Sequence, residues 1–193
     1  MKIIGLTGQT GAGKSTVCKT LEKNGYFHID ADKVYWSLLS AGSPLLQSLK
    51  TAFGDDILFS DGTLNKKVLA EKAFSSPQNT ELLSKVTHPA VIEEINSIIK
   101  SKETENYNGI LIDAIGLFES GANKICDFTV AIVAPNDIRL KRIVKRDNIS
   151  EADALLRINA QKDEKFFKEN ADFVLRNYPP YNIDDEIKRI FRI

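Results

Sequence analysis

Gly8-Gln9-Thr10-Gly11-Ala12-Gly13-Lys14-Ser15 fits the pattern G-x-x-x-x-G-K-[ST] and lies between a strand-like apolar run and a helix-like run. Upstream, Lys2-Ile3-Ile4-Gly5-Leu6-Thr7 is short and rich in β-branched residues, as a buried parallel strand requires. Downstream, between Ser15 and Lys23, Val17, Cys18 and Leu21 share one helical face. The chain is therefore expected to pass from strand to helix across the glycines. Gly8, Gly11 and Gly13 permit backbone conformations closed to other residues, so successive N–H groups can point at phosphate oxygens while the new helix presents its positive end. In that arrangement Lys14 brings a mobile charge to the β and γ phosphates and the Ser15 hydroxyl ligates Mg²⁺. The alternative is an ordinary Gly-rich turn leading into a helix cap.

The 193 residues suit one domain with an insertion, and an apolar content of 42% is enough to fill a core. With 26 basic and 26 acidic residues, nothing in the global charge points to nucleic acid or an anionic membrane as the main partner. Met1 runs directly into the first strand with no leader-like segment, and no apolar run approaches membrane-spanning length, so a cytoplasmic protein is expected. Cys18 and Cys126 form no C-x-x-C pair and fit a reducing compartment; Cys18 reads as core packing. With His28 and His88 as the only imidazoles, a structural transition-metal site is not expected.

Asn24-Gly25 ends the first helix, and Tyr26 to Ile29 reads as a second strand leading into Asp30-Ala31-Asp32. From Val34 to Lys102 the chain turns helical, with stretches at Leu45–Phe53, Asn65–Phe74, Thr80–Val86 and Ala90–Lys100, and breaks that include His88-Pro89. Strands resume at Gly109–Ala114 and Phe128–Val133, both nearly continuous apolar runs of the kind covered on two faces. Asn136 is expected to cap a helix reaching Arg146, Ser150 to open another with Asp153 at the capping-box position, and Asp172–Leu175 to form a fifth strand. A last helix carries Ile183, Ile187, Ile190 and Phe191 on one face. The fold class expected is α/β: a three-layer P-loop unit with a mostly parallel five-stranded sheet and a helical insertion. The nucleotide-binding core is assigned to 1–33, 103–135 and 171–193 and a lid to 136–170; the helical insertion at 34–102 is a natural place for a lobe that binds a second substrate, an acceptor, with simple ornamentation of the fold the other reading.

A phosphate-binding loop does not by itself separate a kinase from a GTPase, a motor or a transporter subunit. A guanine-reading N-K-x-D is missing: after Asn123-Lys124 the aspartate comes one residue late, at Asp127. A kinase needs a carboxylate to orient or deprotonate the acceptor and cations around the transferred group. Asp30 and Asp32 follow the second strand, at the edge where doubly wound sheets bind ligands, and would aim the same way if the chain stayed extended. Solvated loop aspartates or a helix cap are the other reading. Arg139, Arg142 and Arg146 share a helical face, and Arg157 follows, as in a cationic lid; Lys141 and Lys145 interleave, so a plain charged surface stays open.

Taken together, Gly5 to Gly8 through Lys14 to Val17, Ile29-Asp30-Ala31-Asp32, Phe53-Gly54, Asp61 to Leu64, His88-Pro89, Leu117-Phe118-Glu119, Arg142 with Arg146-Asp147, Gln161, Ala171-Asp172-Phe173 and Asn177 resemble the dephospho-CoA kinase family, nearly end to end and in order. The resemblance implies ATP-dependent phosphorylation of the ribose 3′-hydroxyl of dephospho-CoA, the last step of coenzyme A synthesis, with Mg²⁺ accompanying ATP. It implies that Gly8 and Gly11, Ala12, Gly13, Lys14, Ser15 and Thr16 hold ATP, with Arg142, Arg146 and Asn177 on the nucleotide side. Asp32 is then the base or orienting carboxylate, with Lys14 and Arg142 the catalytic cations and Asp30 the weaker carboxylate candidate. His88 and Lys66 fall on the acceptor side, although a hydrogen-bonded helix-start histidine remains the other reading of His88. On physical grounds alone, Asp113 can hold a Mg²⁺-ligating water. The partners implied are the small molecules ATP and dephospho-CoA, with no nucleic acid and no membrane, and a monomer is the simplest expectation.

Two departures from the family pattern stand out. Ile115-Gly116 replaces a proline-leucine pair, which predicts a local backbone difference, and Asn65-Lys66-Lys67 stands where arginine is common, which bears on acceptor affinity.

Overall fold

Ile4 and Leu6 of strand Lys2–Gly8 (β1) are buried on one side of the sheet, while Gly5 points to the other. There the Leu117 side chain packs so close that a Cβ at position 5 would come within 2.7 Å of it. The computed structural model describes residues 1–192. After β1 come helix Lys14–Lys23 (α1), strand Tyr26–Asp30 (β2), and helices Ala31–Ser37 (α2), Pro44–Phe53 (α3), Lys66–Ala73 (α4) and Pro77–Lys102 (α5). Strands Gly109–Asp113 (β3) and Phe128–Val133 (β4) follow. The chain closes with helices Asn136–Asp147 (α6), Glu151–Asn159 (α7) and Glu164–Asn170 (α8), strand Phe173–Arg176 (β5) and helix Ile183–Phe191 (α9).

The five-stranded sheet has the order β2-β3-β1-β4-β5. β1 pairs in parallel with both β3 and β4, and β4 with β5. The register sets Leu6 beside Asp113, Gly8 beside Ile132 and Val133 beside Arg176, so the carboxyl ends of four strands form one edge. That edge carries the Gln9–Gly13 loop, Asp113 and Asn177, where open α/β sheets take their ligands. Leu111, Val130 and Ile132 pack with Val17 and Leu21 of α1 and Ile187, Ile190 and Phe191 of α9. Ile110 and Ile112, alternating with Leu111, are buried toward the opposite face.

The chain divides into two compact units, one comprising Met1–Ile29 with the chain from Glu105 onward, the other Asp30–Thr104. The second is helical and has its own core of Leu45, Leu46, Leu49, Phe53, Ile57 and Leu69. No helix among the described residues is long and apolar enough to cross a membrane.

Several expectations change on contact with the fold. The break at His88-Pro89 does not occur: α5 runs through both residues, so His88 lies mid-helix and does not start one. Proline removes one N–H from the ladder, but Thr87, Ile95 and Ile99 are buried and Val86 and Ala90 pack on the second core, so burial outweighs the lost bond. Asn136 does not cap α6; Pro135 holds the N-cap position, and the Asn136 carboxamide instead accepts a 2.9 Å bond from Arg139. Nor does the chain stay extended past Asp30. Its carboxylate caps α2 by accepting from Lys33 N–H, and Asp32 falls in the first turn, so helical rotation separates the two carboxylates. Ser150 does cap α7, bonding Asp153 through both its N–H and its carboxylate.

At Ile115-Gly116 the glycine's freedom goes unused. Gly116 is not among the positive-φ glycines, and a Cβ there would meet nothing within 4 Å. Gly116→Ala is therefore expected to raise unfolding free energy by about 0.4–1 kcal/mol by narrowing the unfolded ensemble. Chemical denaturation would read this directly, and a lower midpoint would show that the backbone there does need glycine.

Candidate active site

The loop between β1 and α1 takes its shape from three glycines. Gly8, Gly11 and Gly13 have φ of 138°, 77° and 104°. Crowding adds to the conformational demand. A Cβ on Gly8 would fall 2.2 Å from the Ile132 carbonyl oxygen, and one on Gly13 would fall 2.0 Å from Asn177 Nδ2. Ala12 N–H bonds the Gln9 carbonyl, closing the turn. Gly13 is the N-cap of α1 and brings no side-chain acceptor. Among the described residues, the N–H groups of Gly11, Gly13, Lys14 and Ser15 have no protein acceptor. A cluster of such donors at a helix N-terminus attracts an anion, by hydrogen bonding and through the helix dipole.

The carbonyl side of the same loop is held from behind. Arg139 is fully buried and donates from Nε to Thr10 O at 2.8 Å, from Nη1 to Asn136 Oδ1 and from Nη2 to Gln161 Oε1. Gln161 in turn accepts from Thr10 N–H at 2.8 Å, and Gln9 Nε2 bonds the Lys162 carbonyl at 3.0 Å. A cavity of about 520 Å³ opens beside this network, lined by Gln9, Arg139, Gln161 and Lys162 among others. Arg142 donates to the Gly11 and Ala12 carbonyls at 3.3 Å each and to Asn177 O at 2.8 Å. Asn177 Nδ2 adds a 2.7 Å bond to Ala12 O. Carbonyls tied backward leave the amides turned forward.

The three arginines of α6 thus share a helical face but not an environment. Arg139 is a buried clamp, and Arg142 is partly buried against loop carbonyls. Arg146 is exposed and makes a two-pronged pair with Asp147, which also accepts from Arg157 at 2.6 Å. The spacing rule found the face but could not rank depth along it. Arg139→Met is expected to lower unfolding free energy by about 2 kcal/mol, since the buried guanidinium's three hydrogen bonds, two of them to half-buried acceptors at Thr10 and Gln161, are lost. A thermal melt would register this as about 4–8 °C; an unchanged midpoint would contradict the clamp.

Lys14 points toward β3, with its ammonium 3.4 Å from Asp113 Oδ1. The other Asp113 oxygen lies 3.5 Å from Cys18 Sγ and 3.6 Å from His28 Nε2, and His28 Nδ1 lies 3.0 Å from Glu22 Oε1. Burial works to raise the Asp113 carboxyl, but His28 and the Lys14 ammonium outweigh it and hold the group below the usual carboxylate range. Asp113, helped by Glu22, lifts His28 above the ordinary imidazole value against the opposing effect of burial. Burial first, then the Asp113 charge, push the Cys18 thiol upward. Cys18 does pack in the core, as expected, and it also reaches this carboxylate. His28 is the participant that sequence reading passed over; its place two residues before the end of β2 was the available signal.

Ser15 and Thr16 are exposed in the first turn of α1. In the helical unit, Lys66 opens α4 and carries its ammonium 3.8 Å above the Trp36 ring. Asp32 stands in α2 and His88 in α5 of that same unit.

The description of the family model that matches residues 2–181 is dephospho-CoA kinase. A dephospho-CoA kinase of Corynebacterium efficiens is 37% identical over 177 residues, covering 92% of this chain and 88% of the relative. Among solved structures, a dephospho-CoA kinase from Campylobacter jejuni superposes with a TM-score of 0.70 at 26% identity, over 98% of this chain and 95% of the other. A shikimate kinase from Acinetobacter baumannii, at 16% identity and a TM-score of 0.53 over 100% and 92%, shares the fold.

Proposed function

The chain belongs to the dephospho-CoA kinase family, and from that premise we propose that it transfers the γ phosphate of ATP to the ribose 3′-hydroxyl of dephospho-CoA, giving coenzyme A and ADP. The observation that carries this reading is the forward-facing set of amides at Gly11, Gly13, Lys14 and Ser15, preset by glycine torsions and by the Arg139, Arg142 and Asn177 bonds behind them. Donors fixed before the substrate arrives need no reorganisation as charge shifts in the transition state.

Lys14, paired with Asp113 at rest, turns to the β and γ phosphates when ATP fills the loop. The exposed Ser15 hydroxyl and the Asp113 carboxylate are hard oxygen donors that suit Mg²⁺, the first directly and the second through a water. Mg²⁺, when bound, neutralises charge on the phosphate oxygens. Asp32 orients the 3′-hydroxyl and accepts its proton, while Asp30 holds the start of α2. Gly8 and Ala12 shape the cradle, and Thr16 continues it along the first turn of α1. Arg142, Arg146 and Asn177 serve the nucleotide, and His88 and Lys66 serve the acceptor. Residues 1–33, 103–135 and 171–193 act as the nucleotide-binding core, 34–102 as the acceptor region and 136–170 as a lid that excludes water. The enzyme works as a cytoplasmic monomer on small molecules, in keeping with its balanced charge.

Incubation with Mg·ATP and a panel of dephospho-CoA, AMP, dTMP and shikimate tests the reading. Transfer to dephospho-CoA alone is expected; transfer to any of the others without transfer to dephospho-CoA would overturn it.

A further inference from the structure

Lys14, Cys18 and Glu22 stand at intervals of four along α1 and share a face, and His28 of β2 and Asp113 of β3 lie against it. One donor atom each from Cys18, His28 and Asp113 lies within 4.8 Å of the other two. The two separations from Asp113 Oδ2 are 3.5 Å to sulfur and 3.6 Å to nitrogen. A tetrahedral zinc ion, with bonds of about 2.3 Å to sulfur and about 2.0 Å to oxygen and nitrogen, holds sulfur about 3.5 Å and nitrogen about 3.3 Å from oxygen. Both separations from the carboxylate oxygen already stand within a few tenths of an ångström of that spacing.

The imidazole is also set for coordination. A carboxylate only accepts, so the 3.0 Å contact with Glu22 puts a proton on His28 Nδ1. Metal-bound histidines are oriented in the same way by a carboxylate on the far nitrogen. Nε2 then faces the cluster, buried, with Asp113 Oδ2 at 3.6 Å and no partner within hydrogen-bond distance. Nothing in the phosphoryl-transfer chemistry uses Cys18, His28 or Glu22.

We propose that Cys18, His28 and Asp113 form a binding site for a divalent cation of the zinc class, with Glu22 orienting the imidazole. Sulfur and imidazole donors favour Zn²⁺ or Co²⁺ over Mg²⁺, so this ion is distinct from the one that accompanies ATP. On binding, the Cys18 S–H bond breaks and its proton leaves to solvent, together with the Nε2 proton of any charged His28, as sulfur–metal and nitrogen–metal bonds form with no change in oxidation state. Because Asp113 also partners Lys14, occupancy alters the resting place of Lys14 and depresses kinase turnover. That consequence rests on the kinase reading; the binding itself does not.

Titrating the purified, chelator-treated protein with Co²⁺ and following the near-ultraviolet thiolate-to-cobalt charge-transfer band tests the site. The expected result is a band that saturates at one equivalent, is displaced by Zn²⁺, survives Cys126→Ala, and is lost in both Cys18→Ala and His28→Gln. Circular dichroism confirms that each variant is folded. Absence of the band in the folded native protein, or its persistence in either Cys18→Ala or His28→Gln, overturns the site. In the kinase assay with excess Mg·ATP, equimolar Zn²⁺ should slow the native protein and spare Cys18→Ala. Equal inhibition of both overturns the coupling to Lys14. A native protein that shows the band but phosphorylates no acceptor would contradict the kinase assignment and leave the metal site standing.

Discussion

Lys14→Ala is expected to lower kcat for transfer to dephospho-CoA by about a thousandfold, equivalent to about 4 kcal/mol of lost transition-state stabilisation. The ammonium is a mobile charge next to the uncapped amides, and in the resting state it pairs with Asp113 at 3.4 Å. Truncation removes that charge where negative charge shifts between the β and γ phosphates. Folding should change far less, by about 1 kcal/mol, because the pair is only partly withdrawn from water and Asp113 keeps His28 beside it. Single-turnover kinetics alongside a denaturation curve would separate the two effects. A variant that turns over like the native enzyme would remove the loop from the chemistry.

Asp32→Asn is expected to lower kcat by about a hundredfold or more while leaving the KM for ATP within about twofold. Asparagine keeps the size and polarity of the side chain but can neither take up the 3′-hydroxyl proton nor supply the negative charge that aligns it. The substitution also removes an acidic group from the first turn of α2, which should reduce stability by well under about 1 kcal/mol. The parallel change Asp30→Asn should act differently. Asn caps helices about as well as Asp, so both stability and turnover should be nearly retained. If Asp30→Asn proved the more damaging of the two, the carboxylate assignments would have to be exchanged.

Much of this was legible in the chain because the decisive signals are local. The glycine pattern at 8, 11 and 13 demands positive φ, and the continuous apolar runs at Ile110–Ile112 and Val130–Val133 demand strands covered on both sides. Ser150 with Asp153 marks a helix start through bonds made within a few residues. What escaped depends on distant partners. α2 and α8 are short, and each is held by one capping aspartate, Asp30 and Asp163, so periodicity has too few turns to register. α5 passes through Pro89, itself exposed, because the residues around it, Val86, Thr87 and Ala90, are packed inward. The separate fates of Arg139, Arg142 and Arg146 follow from how deeply α6 sits against the loop, which spacing cannot reveal. The meeting of Cys18, His28 and Asp113 joins three elements that only strand order brings together.

The most direct test of the central claim is to follow the backbone amide resonances of Gly11, Gly13, Lys14 and Ser15 while titrating a non-hydrolysable Mg·ATP analogue, with adenosine as the control. Large shifts in all four are expected with the triphosphate, and little change with adenosine. Four amides that stay in place while the triphosphate binds would contradict it.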